Sequence, residues 1–207
     1  MSIFEYLPSH PEEAVNFNNA MTDLSSGDGP AVVASYDFSV FERIVEVGGG
    51  TGALLAAILE SAPNLRGVLF DLPYVIEQAR TAPILAGFAS RCEFATGSFL
   101  DAVPAGADAY IMKHVIHDWD DERSVRILSN CRQAMCPGAK LLVVDRVLGA
   151  PNAPDQGKLM DLEMMVLPGG IERSEPEWRK LFAASGFRLE RIISMPAPQS
   201  ILEATPA

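Results

Sequence analysis

Basic residues are scarce in this sequence. It contains 16 lysines and arginines against 27 acidic residues, for a formal net charge of -11 at pH 7 and an isoelectric point near 4.7. Proteins that bind a phosphate backbone do so with clustered Lys and Arg, which release counterions from the nucleic acid. We therefore expect no nucleic-acid partner.

Long apolar runs are also lacking. No stretch of the chain approaches the roughly 20 apolar residues that a membrane-spanning helix needs. Residues 1–8 have neither the basic start nor the apolar centre of a secretory signal. These features predict a cytoplasmic protein with no membrane partner.

Cysteine is rare and irregularly spaced. Cys92, Cys131 and Cys136 are odd in number and lack C-x-x-C spacing, so the sequence indicates neither a disulfide framework nor a zinc site. His114 and His117 have aspartates nearby, but no H-E-x-x-H motif or carboxylate triad accompanies them. We expect no bound metal.

The composition that remains is that of one folded, enzyme-sized unit, with 207 residues, 48% hydrophobic and 21% charged. Beyond residue 40, strand-like and helix-like segments alternate, which is typical of an α/β fold with a parallel sheet. Residues 1–40 are predicted to be a helical lead-in with a turn-rich break at 25–30. The predicted strands are 43–47, 67–70, 109–112, 141–144, 187–193 and 200–204, and the predicted helices are 11–21, 31–38, 53–61, 120–135, 158–166 and 174–186.

A glycine-rich turn follows the first predicted strand and opens a helix. Its sequence, Glu-Val-Gly-Gly-Gly-Thr-Gly at 46–52, is followed by Asp71 at the end of the next strand. Glycines let the backbone approach a ligand closely, and a carboxylate at that strand end can accept both ribose hydroxyls. The pattern predicts an adenosine-containing cofactor. Gly48, Gly50 and Ala53 also fit the dinucleotide fingerprint, so a nicotinamide oxidoreductase stays open at this point.

Four segments together carry a family resemblance. They are Val-Glu-Val-Gly-Gly-Gly-Thr-Gly at 45–52, Phe-Asp-Leu-Pro at 70–73, Lys-His-Val-Ile-His-Asp-Trp-Asp-Asp-Glu at 113–122 and Gly-Ile-Glu-Arg-Ser at 170–174. From about Phe4 onward, the chain resembles the caffeic-acid and hydroxyindole type of S-adenosylmethionine-dependent O-methyltransferase, in its bacterial natural-product branch. The resemblance implies a class I, Rossmann-like fold: a doubly wound, mostly parallel seven-stranded sheet.

The same resemblance implies a cofactor site for S-adenosyl-L-methionine. Gly48 would lie against the methionine part of the cofactor, Asp71 would hold the ribose, and Lys113 would lie nearby. Leu72 and Phe99 would flank the adenine, beside Ser98, where the family frequently has an acidic residue. The implied cofactor-binding residues are Gly48, Gly50, Asp71, Leu72, Ser98, Phe99 and Lys113.

The implied reaction is methyl transfer to a hydroxyl of a small aromatic, phenolic or polyketide-like metabolite. A phenol becomes a much better nucleophile when a base removes its proton, and histidine suits that task near pH 7. His117 matches the family's general base, and Asp145 and Glu172 match the carboxylates that orient it. The residues that match the acceptor-lining positions are Phe17, Met21 and Met164.

The resemblance also implies a domain organisation. Residues 1–40 would contribute to the acceptor pocket and 41–207 would form the cofactor-binding catalytic domain. Typical family members carry a further helical domain ahead of this region, through which they form homodimers, and we expect that domain to be absent here.

Two alternatives to an active methyltransferase remain: a truncated cofactor-binding module with little turnover, and an NAD-dependent oxidoreductase. The oxidoreductase gives no account of the His-Asp-Trp segment or of Glu172.

Overall fold

The chain folds as alternating strands and helices. The computed structural model describes residues 3–24 and 27–207. The strands are β1 (Arg43–Val47), β2 (Arg66–Asp71), β3 (Cys92–Thr96), β4 (Ala109–Lys113), β5 (Lys140–Asp145), β6 (Val147–Leu148), β7 (Arg173–Ser174), β8 (Phe187–Ser194) and β9 (Ser200–Pro206). The α-helices are α1 (Ile3–Tyr6), α2 (Pro11–Leu24), α3 (Asp28–Ser35), α4 (Ala53–Ser61), α5 (Pro73–Thr81), α6 (Asp121–Ala134), α7 (Gly157–Val166) and α8 (Glu175–Ala184). Short 3-10 helices occupy Leu7–Ser9, Phe38–Val40, Pro83–Phe88 and Ile116–Asp118.

Seven of these strands form one mixed sheet in the order β3-β2-β1-β4-β5-β9-β8. The pairs from β3 to β5 are parallel, while β9 runs antiparallel to both β5 and β8. The order reverses direction between β1 and β4, and open α/β sheets bind ligands outside the carboxyl ends of the strands at such a switch point. The predicted fold, a doubly wound and mostly parallel seven-stranded sheet, is confirmed.

Both faces of the sheet are buried, so its central strands are apolar on both sides, as expected for a parallel sheet between helices. In β1, Ile44 packs into a core layer with Leu55 and Ile58 of α4. Its neighbour Val45 packs into the opposite layer, with Leu128 of α6. None of the helices in the described ranges is long and apolar enough to cross a membrane.

The structure corrects the predicted lead-in. The predicted break at 25–30 extends too far, because α3 already begins at Asp28; Ser25 and Ser26 lie outside the described residues. Pro30 sits in the first turn of α3, where a missing backbone N–H costs no helical hydrogen bond. The predicted helix at 31–38 is also wrong at its end, since α3 stops at Ser35 and the backbone of Tyr36 is extended.

Five of the strands and α-helices are absent from the sequence-based prediction, namely β3, β6, β7, α1 and α5, and the two longest of them show why. Strand β3 lies at the edge of the sheet and has one buried residue among its five, so it lacks the apolar run of a central strand. Helix α5 begins at Pro73, directly after Asp71 and Leu72, and contains three buried residues. By contrast, β1 and α4 have the predicted bounds.

The start of α4 yields a test of backbone constraint. Gly52 precedes this helix with φ +85, and a Cβ there would collide with Leu85. We expect Gly52→Ala to lower the free energy of unfolding by about 1–2 kcal/mol, because an L side chain pays for the left-handed conformation. Urea unfolding measures this. Gly87→Ala is the matched control, since a Cβ there has open space and should change stability by less than about 0.5 kcal/mol; equal effects would contradict the argument.

Candidate active site

The predicted site residues gather at one edge of the sheet. Gly48 follows β1, and Asp71, Lys113 and Asp145 are the last residues of β2, β4 and β5. His117 lies four residues beyond Lys113, in the 3-10 helix Ile116–Asp118, hereafter the His117 turn. Parallel strands bring their carboxyl ends to the same edge, so strand topology alone assembles these groups.

The glycine turn is tied to the end of β2. The backbone N–H of Gly48 donates to the carbonyl of Phe70 at 2.9 Å. The carboxylate of Asp71 accepts from the backbone N–H of Gly50 at 2.8 Å and from that of Leu72 at 2.7 Å. Burial raises the pKa of Asp71, and these two hydrogen bonds oppose that rise. The turn therefore presents a preorganised carboxylate beside glycines at φ +69 and +58.

A second wall of the turn comes from the segment after β3. A Cβ on Gly48 would approach Phe99 to 3.5 Å and Val115 to 2.8 Å, so both side chains lie directly against the glycine. The Phe99 ring also meets Trp119 edge to face, with ring centroids 5.8 Å apart. The hydroxyl of Ser98 accepts from the backbone N–H of Leu100 at 3.2 Å. The structure thus brings Gly48, Phe99 and the His117 turn together.

Sequence reasoning missed Glu46, which lies beneath the glycine turn. Its side chain is buried and accepts from the backbone N–H of Leu55 at 3.2 Å. Burial raises its pKa to about 8, although the charge of Lys113 opposes this. The available signal was an acidic residue between two valines of the buried strand β1, a placement that is rare without a partner or a role.

His117 is buried and surrounded by carboxylates. Its Nδ1 lies 2.9 Å from Oε1 of Glu172 and 3.7 Å from Oδ1 of Asp145. Its Nε2 lies 3.6 Å from Oδ1 of Asp118. Because a carboxylate only accepts, Nδ1 donates its proton to Glu172, and Nε2 is the nitrogen left to exchange a proton with an acceptor. All three predicted catalytic residues are therefore brought together.

The buried Arg173 connects the His117 turn to the segment that carries Glu172. The guanidinium of Arg173 donates to the carbonyls of Ile116 and Trp119, at 3.3 and 3.0 Å, and pairs with Asp121 at 2.8 Å. Since Arg173 follows Glu172 directly, these bonds hold the carboxylate segment against the His117 turn. Sequence reasoning gave Arg173 no role.

Close backbone contact completes the junction. The N–H of Ile171 donates to the carbonyl of His117 at 2.8 Å. A Cβ on Gly170 would overlap that same carbonyl and approach the Asp118 backbone to 2.5 Å, so only glycine fits. Within the Gly-Ile-Glu-Arg segment at 170–173, Gly170 is needed for this close contact and Glu172 for the contact with His117.

The charges of the cluster are strongly coupled. Burial disfavours the protonated form of His117, but Asp145, Glu172 and Asp118 outweigh it and raise the pKa of His117 to about 9. Burial raises the pKa of Asp145 to about 7 and that of Asp118 to about 6. Neither oxygen of Asp145 has a hydrogen-bond partner among the described residues, although its side chain is fully buried. The cluster is thus built to hold a proton on His117.

Another network, not anticipated from the sequence, joins α3 to this site. Asp28 is buried at the start of α3, and its Oδ2 lies 3.4 Å from Nζ of Lys113 and 3.2 Å from Nε2 of His114. Gln199 contacts the same His114 nitrogen at 3.0 Å. Lys113, predicted to lie near the cofactor, is therefore anchored from the lead-in.

One group among the described residues could hold a metal: donor atoms of His114, His117 and Asp145 lie within 4.8 Å of one another. The hydrogen bond to Glu172 engages Nδ1 of His117, so metal binding through that nitrogen would have to break it. The expectation of no bound metal stays a prediction.

The three predicted acceptor-lining residues lie on two helices. Met164 is buried on α7, and its carbonyl accepts from the N–H groups of Gly169 and Gly170 at 2.9 and 3.0 Å, close to the His117 turn. Phe17 and Met21 lie on α2, half-buried and 43% exposed respectively. Their clamp role stays a prediction.

Comparison with known proteins now adds to this geometry. An O-methyltransferase domain model matches residues 1–188. The chain belongs to the O-methyltransferase domain family. It is 46% identical over 205 residues to a phenazine O-methyltransferase of Lysobacter antibioticus, which covers 99% of this chain and 60% of that protein. It is 42% identical over 203 residues to a mitomycin biosynthesis 6-O-methyltransferase of Streptomyces lavendulae, covering 98% and 58%.

Solved structures of O-methyltransferases share the fold. The crystal structure of LaPhzM superposes with a TM-score of 0.96 at 46% identity, covering 100% of this chain and 62% of that one. The neocarzinostatin-biosynthesis O-methyltransferase NcsB1, solved with S-adenosyl-L-homocysteine and 1,4-dihydroxy-2-naphthoic acid, superposes with a TM-score of 0.90 at 35% identity and the same coverage. The chain thus spans about three fifths of the length of these relatives.

The charge cluster of this family member can be tested directly. The chain has three histidines, so their imidazole signals are readily resolved by NMR. Glu172→Gln removes the charge that pairs with Nδ1 and should lower the pKa of His117 by about 1 to 2, since a hydrogen bond to a charged group contributes roughly 1.5–3 kcal/mol. The control Glu175→Gln changes an exposed acid that pairs with Arg179. A pKa of His117 unaffected by Glu172→Gln would contradict the assigned contact.

Proposed function

We propose that this chain carries the methyl-transfer site of an S-adenosylmethionine-dependent O-methyltransferase that acts on a hydroxyl of a small aromatic metabolite. The observation that carries the proposal is the buried His117, with Nδ1 engaged by Glu172 at 2.9 Å, at the same sheet edge as the glycine turn and Asp71. Relatives named for phenazine and mitomycin O-methylation support the same reaction class.

The residues at the switch point fit an adenosine cofactor. A Cβ on Gly50 would meet open space, so the turn leaves room for a ligand against its backbone. Asp71, a half-buried residue at the end of β2, has a carboxylate that suits two ribose hydroxyls. Bound there, S-adenosyl-L-methionine supplies a methyl group on a positively charged sulfur. Asp71 and Asp118 would favour that positive charge.

In this proposal His117 acts as the general base. Nε2 takes the proton of the acceptor hydroxyl, and the resulting imidazolium is stabilised by Glu172 at Nδ1 and by the nearby Asp145. The pKa of about 9 means that His117 is mostly protonated at neutral pH before ligands bind. A positive charge bound at the glycine turn would lower that pKa toward the working range.

The lead-in and α7 would shape the acceptor side. Asn18 of α2 donates to Gln78 of α5 at 2.7 Å, which attaches the lead-in beside the proposed ribose site. Phe17, Met21 and Met164 would then contact a flat, apolar acceptor, consistent with an aromatic metabolite. Residues 41–207 would form the cofactor-binding unit, and assembly as a homodimer is proposed for the whole protein.

The alternatives lose support to different degrees. Membership of the O-methyltransferase domain family counts against the nicotinamide oxidoreductase, which is left with the fit of the glycine turn alone in its favour. A cofactor-binding module with little turnover differs from the proposed enzyme only in catalysis, and turnover with a panel of phenols separates the two.

The cofactor assignment predicts a loss of affinity in Asp71→Asn. The substitution keeps the side-chain shape but removes the charge that would accept from the ribose, so we expect about 10- to 100-fold weaker binding of S-adenosyl-L-homocysteine, from roughly 1.5–3 kcal/mol. Calorimetry measures it. The control is Asp101→Asn, an exposed acid paired with Arg126. Unchanged affinity in folded Asp71→Asn would remove Asp71 from the site.

The base assignment predicts that His117→Ala reduces turnover about 10²- to 10⁴-fold while cofactor affinity is retained. Wild-type turnover should rise with pH and level off at or below about 9, because only neutral His117 can accept a proton. The loss should shrink for more acidic phenols, which ionise without help. The control is His10→Asn, far along the chain from His117.

The general-base role is tested by measuring turnover of the wild type and of His117→Ala across a series of phenols and a range of pH. An equal loss for every acceptor at every pH would contradict the general-base role and leave His117 only as an orienting group.

A further inference from the structure

The carboxylate of Asp145 lacks the partners that a buried charge requires. Its side chain is fully buried, and neither oxygen has a hydrogen-bond partner among the described residues. Two imidazole nitrogens face its Oδ1, Nδ1 of His117 at 3.7 Å and Nδ1 of His114 at 3.8 Å, and both are too far away for a hydrogen bond. Because burial of an unpaired carboxylate is unfavourable, this oxygen is suited to bind a cation.

The contacts of His114 leave a lone pair on its Nδ1. Nε2 lies 3.2 Å from Oδ2 of Asp28, and a carboxylate only accepts, so Nε2 carries the ring proton. The side-chain amide of Gln199 lies 3.0 Å from the same Nε2, and the amide oxygen is otherwise buried without a partner among the described residues. Turned toward His114, that oxygen accepts from the same N–H. Nδ1 of the neutral ring therefore presents its lone pair toward Asp145.

This arrangement is typical of histidines that bind a metal. A histidine ligand almost always donates its other ring N–H to a carboxylate or carbonyl, which fixes the tautomer and the ring orientation. Asp28 takes this place beside His114, and Asp118 lies 3.6 Å from Nε2 of His117. The backbone of His114 is also held at φ +55, a conformation that persists in a non-glycine residue only where the surroundings enforce it.

The distances between the donor atoms are close to those around a zinc ion. Donor atoms of His114, His117 and Asp145 lie within 4.8 Å of one another. Ligands about 2.0–2.2 Å from a tetrahedral zinc are about 3.3–3.6 Å apart, so the N–O separations of 3.7 and 3.8 Å need only a small contraction. Glu172 lies beside them with Oε2 buried and unpartnered among the described residues. Two imidazoles and two carboxylates suit zinc, whereas magnesium and calcium prefer oxygen ligands.

We propose that His114, His117, Asp145 and Glu172 form an inhibitory zinc site. The side chain of His114 is 27% exposed and forms its open side, while those of His117, Asp145 and Glu172 are 9% exposed or less. The expectation of no bound metal applies to methyl transfer itself, which this zinc would stop. That inhibitory effect rests on the proposed function, whereas zinc binding does not.

Zinc on Nδ1 would disable His117 as a base. A protonated ring loses its Nδ1 proton to solvent and keeps the proton on Nε2, and a neutral ring carries its single proton on Nε2 once Nδ1 is bound to the metal. In both cases Nε2 has no lone pair left to accept the proton of a hydroxyl. Glu172 changes from hydrogen-bond acceptor of Nδ1 to ligand of the metal, and removal of zinc by a chelator restores the original arrangement.

Zinc binding is measured without turnover, by competition with a chromogenic zinc chelator. We expect one zinc ion per chain and no competition from magnesium. His114→Asn removes a ligand in a residue type that tolerates positive φ, so the affinity for zinc should fall about 100-fold, as for the loss of one of four ligands. The matched control is His10→Asn, which removes a histidine outside the site and should leave the affinity unchanged.

A second variant tests the site if His114→Asn does not fold. Asp145→Asn keeps the side-chain shape but removes the charged ligand, and the affinity for zinc should fall about 10- to 100-fold. Asp101→Asn, at an exposed acid, is its control. In the wild type, imidazole nitrogen shifts should show Nδ1 bound to zinc and Nε2 protonated in both His114 and His117, with the signals of His10 unchanged.

Inhibition is measured as turnover of a phenol against zinc concentration. Zinc should inhibit the wild type, and a chelator should reverse the effect. In His114→Asn, the concentration for half-inhibition should rise by the same factor as the dissociation constant. Cys136→Ser serves as a control for zinc binding to a thiol, since Cys136 is the half-buried cysteine whereas Cys92 and Cys131 are buried; it should respond to zinc as the wild type does.

The outcomes separate the site from the function. Equal affinity for zinc in the wild type and in the folded His114→Asn and Asp145→Asn variants would overturn the site, as would inhibition that disappears in Cys136→Ser. Zinc bound through both imidazoles with turnover unaffected would overturn the inhibitory role. Wild-type protein that binds zinc and S-adenosyl-L-homocysteine but methylates no phenol would overturn the proposed function and leave the zinc site supported.

Discussion

The compensation of buried charge governs this structure. Burial favours the neutral form of both an imidazole and a carboxylic acid, so it lowers the pKa of the imidazole and raises the pKa of the carboxylic acid. Here Glu172, Asp145 and Asp118 surround His117, and together they raise its pKa to about 9 in spite of burial. The proton shared by this cluster is therefore a property of the group, and its members titrate together.

The fold supplies this group from distant parts of the chain. His117 follows β4 and Asp145 ends β5, so their proximity comes from the parallel pairing of neighbouring strands. Glu172 arrives from a loop with no place in the main sheet, and it depends on backbone bonds and on Arg173 for its position. Strand topology therefore positions His117 and Asp145, whereas local hydrogen bonds position Glu172 beside them.

Much of this could be predicted from the sequence because it rests on local patterns. Apolar runs, the glycine turn and the capping box predicted β1, α4 and α8, and the family resemblance added His117, Asp145 and Glu172. What the sequence missed depends on three-dimensional placement. Edge strand β3 buries only one residue, so it has no apolar run to detect. Asp28 reaches the site because α3 starts earlier than expected. Glu46 is recognisable as part of the site only once the glycine turn is seen to pack above it.

The brace around Arg173 has a consequence for motion. Its guanidinium donates to the carbonyls on both sides of the His117 turn, and Arg173 follows Glu172 directly in the chain. Gly170 packs against the His117 carbonyl and leaves no gap between the turn and the Glu172 segment. These contacts hold His117 and Glu172 together as one unit. In the proposed reaction, entry of an acceptor and exit of a product would therefore depend on displacement of other parts of the chain. Helix α7 is not one of those parts, because the side chain of Asp161 on α7 accepts from the backbone N–H of Glu172 at 2.8 Å and ties the helix to the same unit.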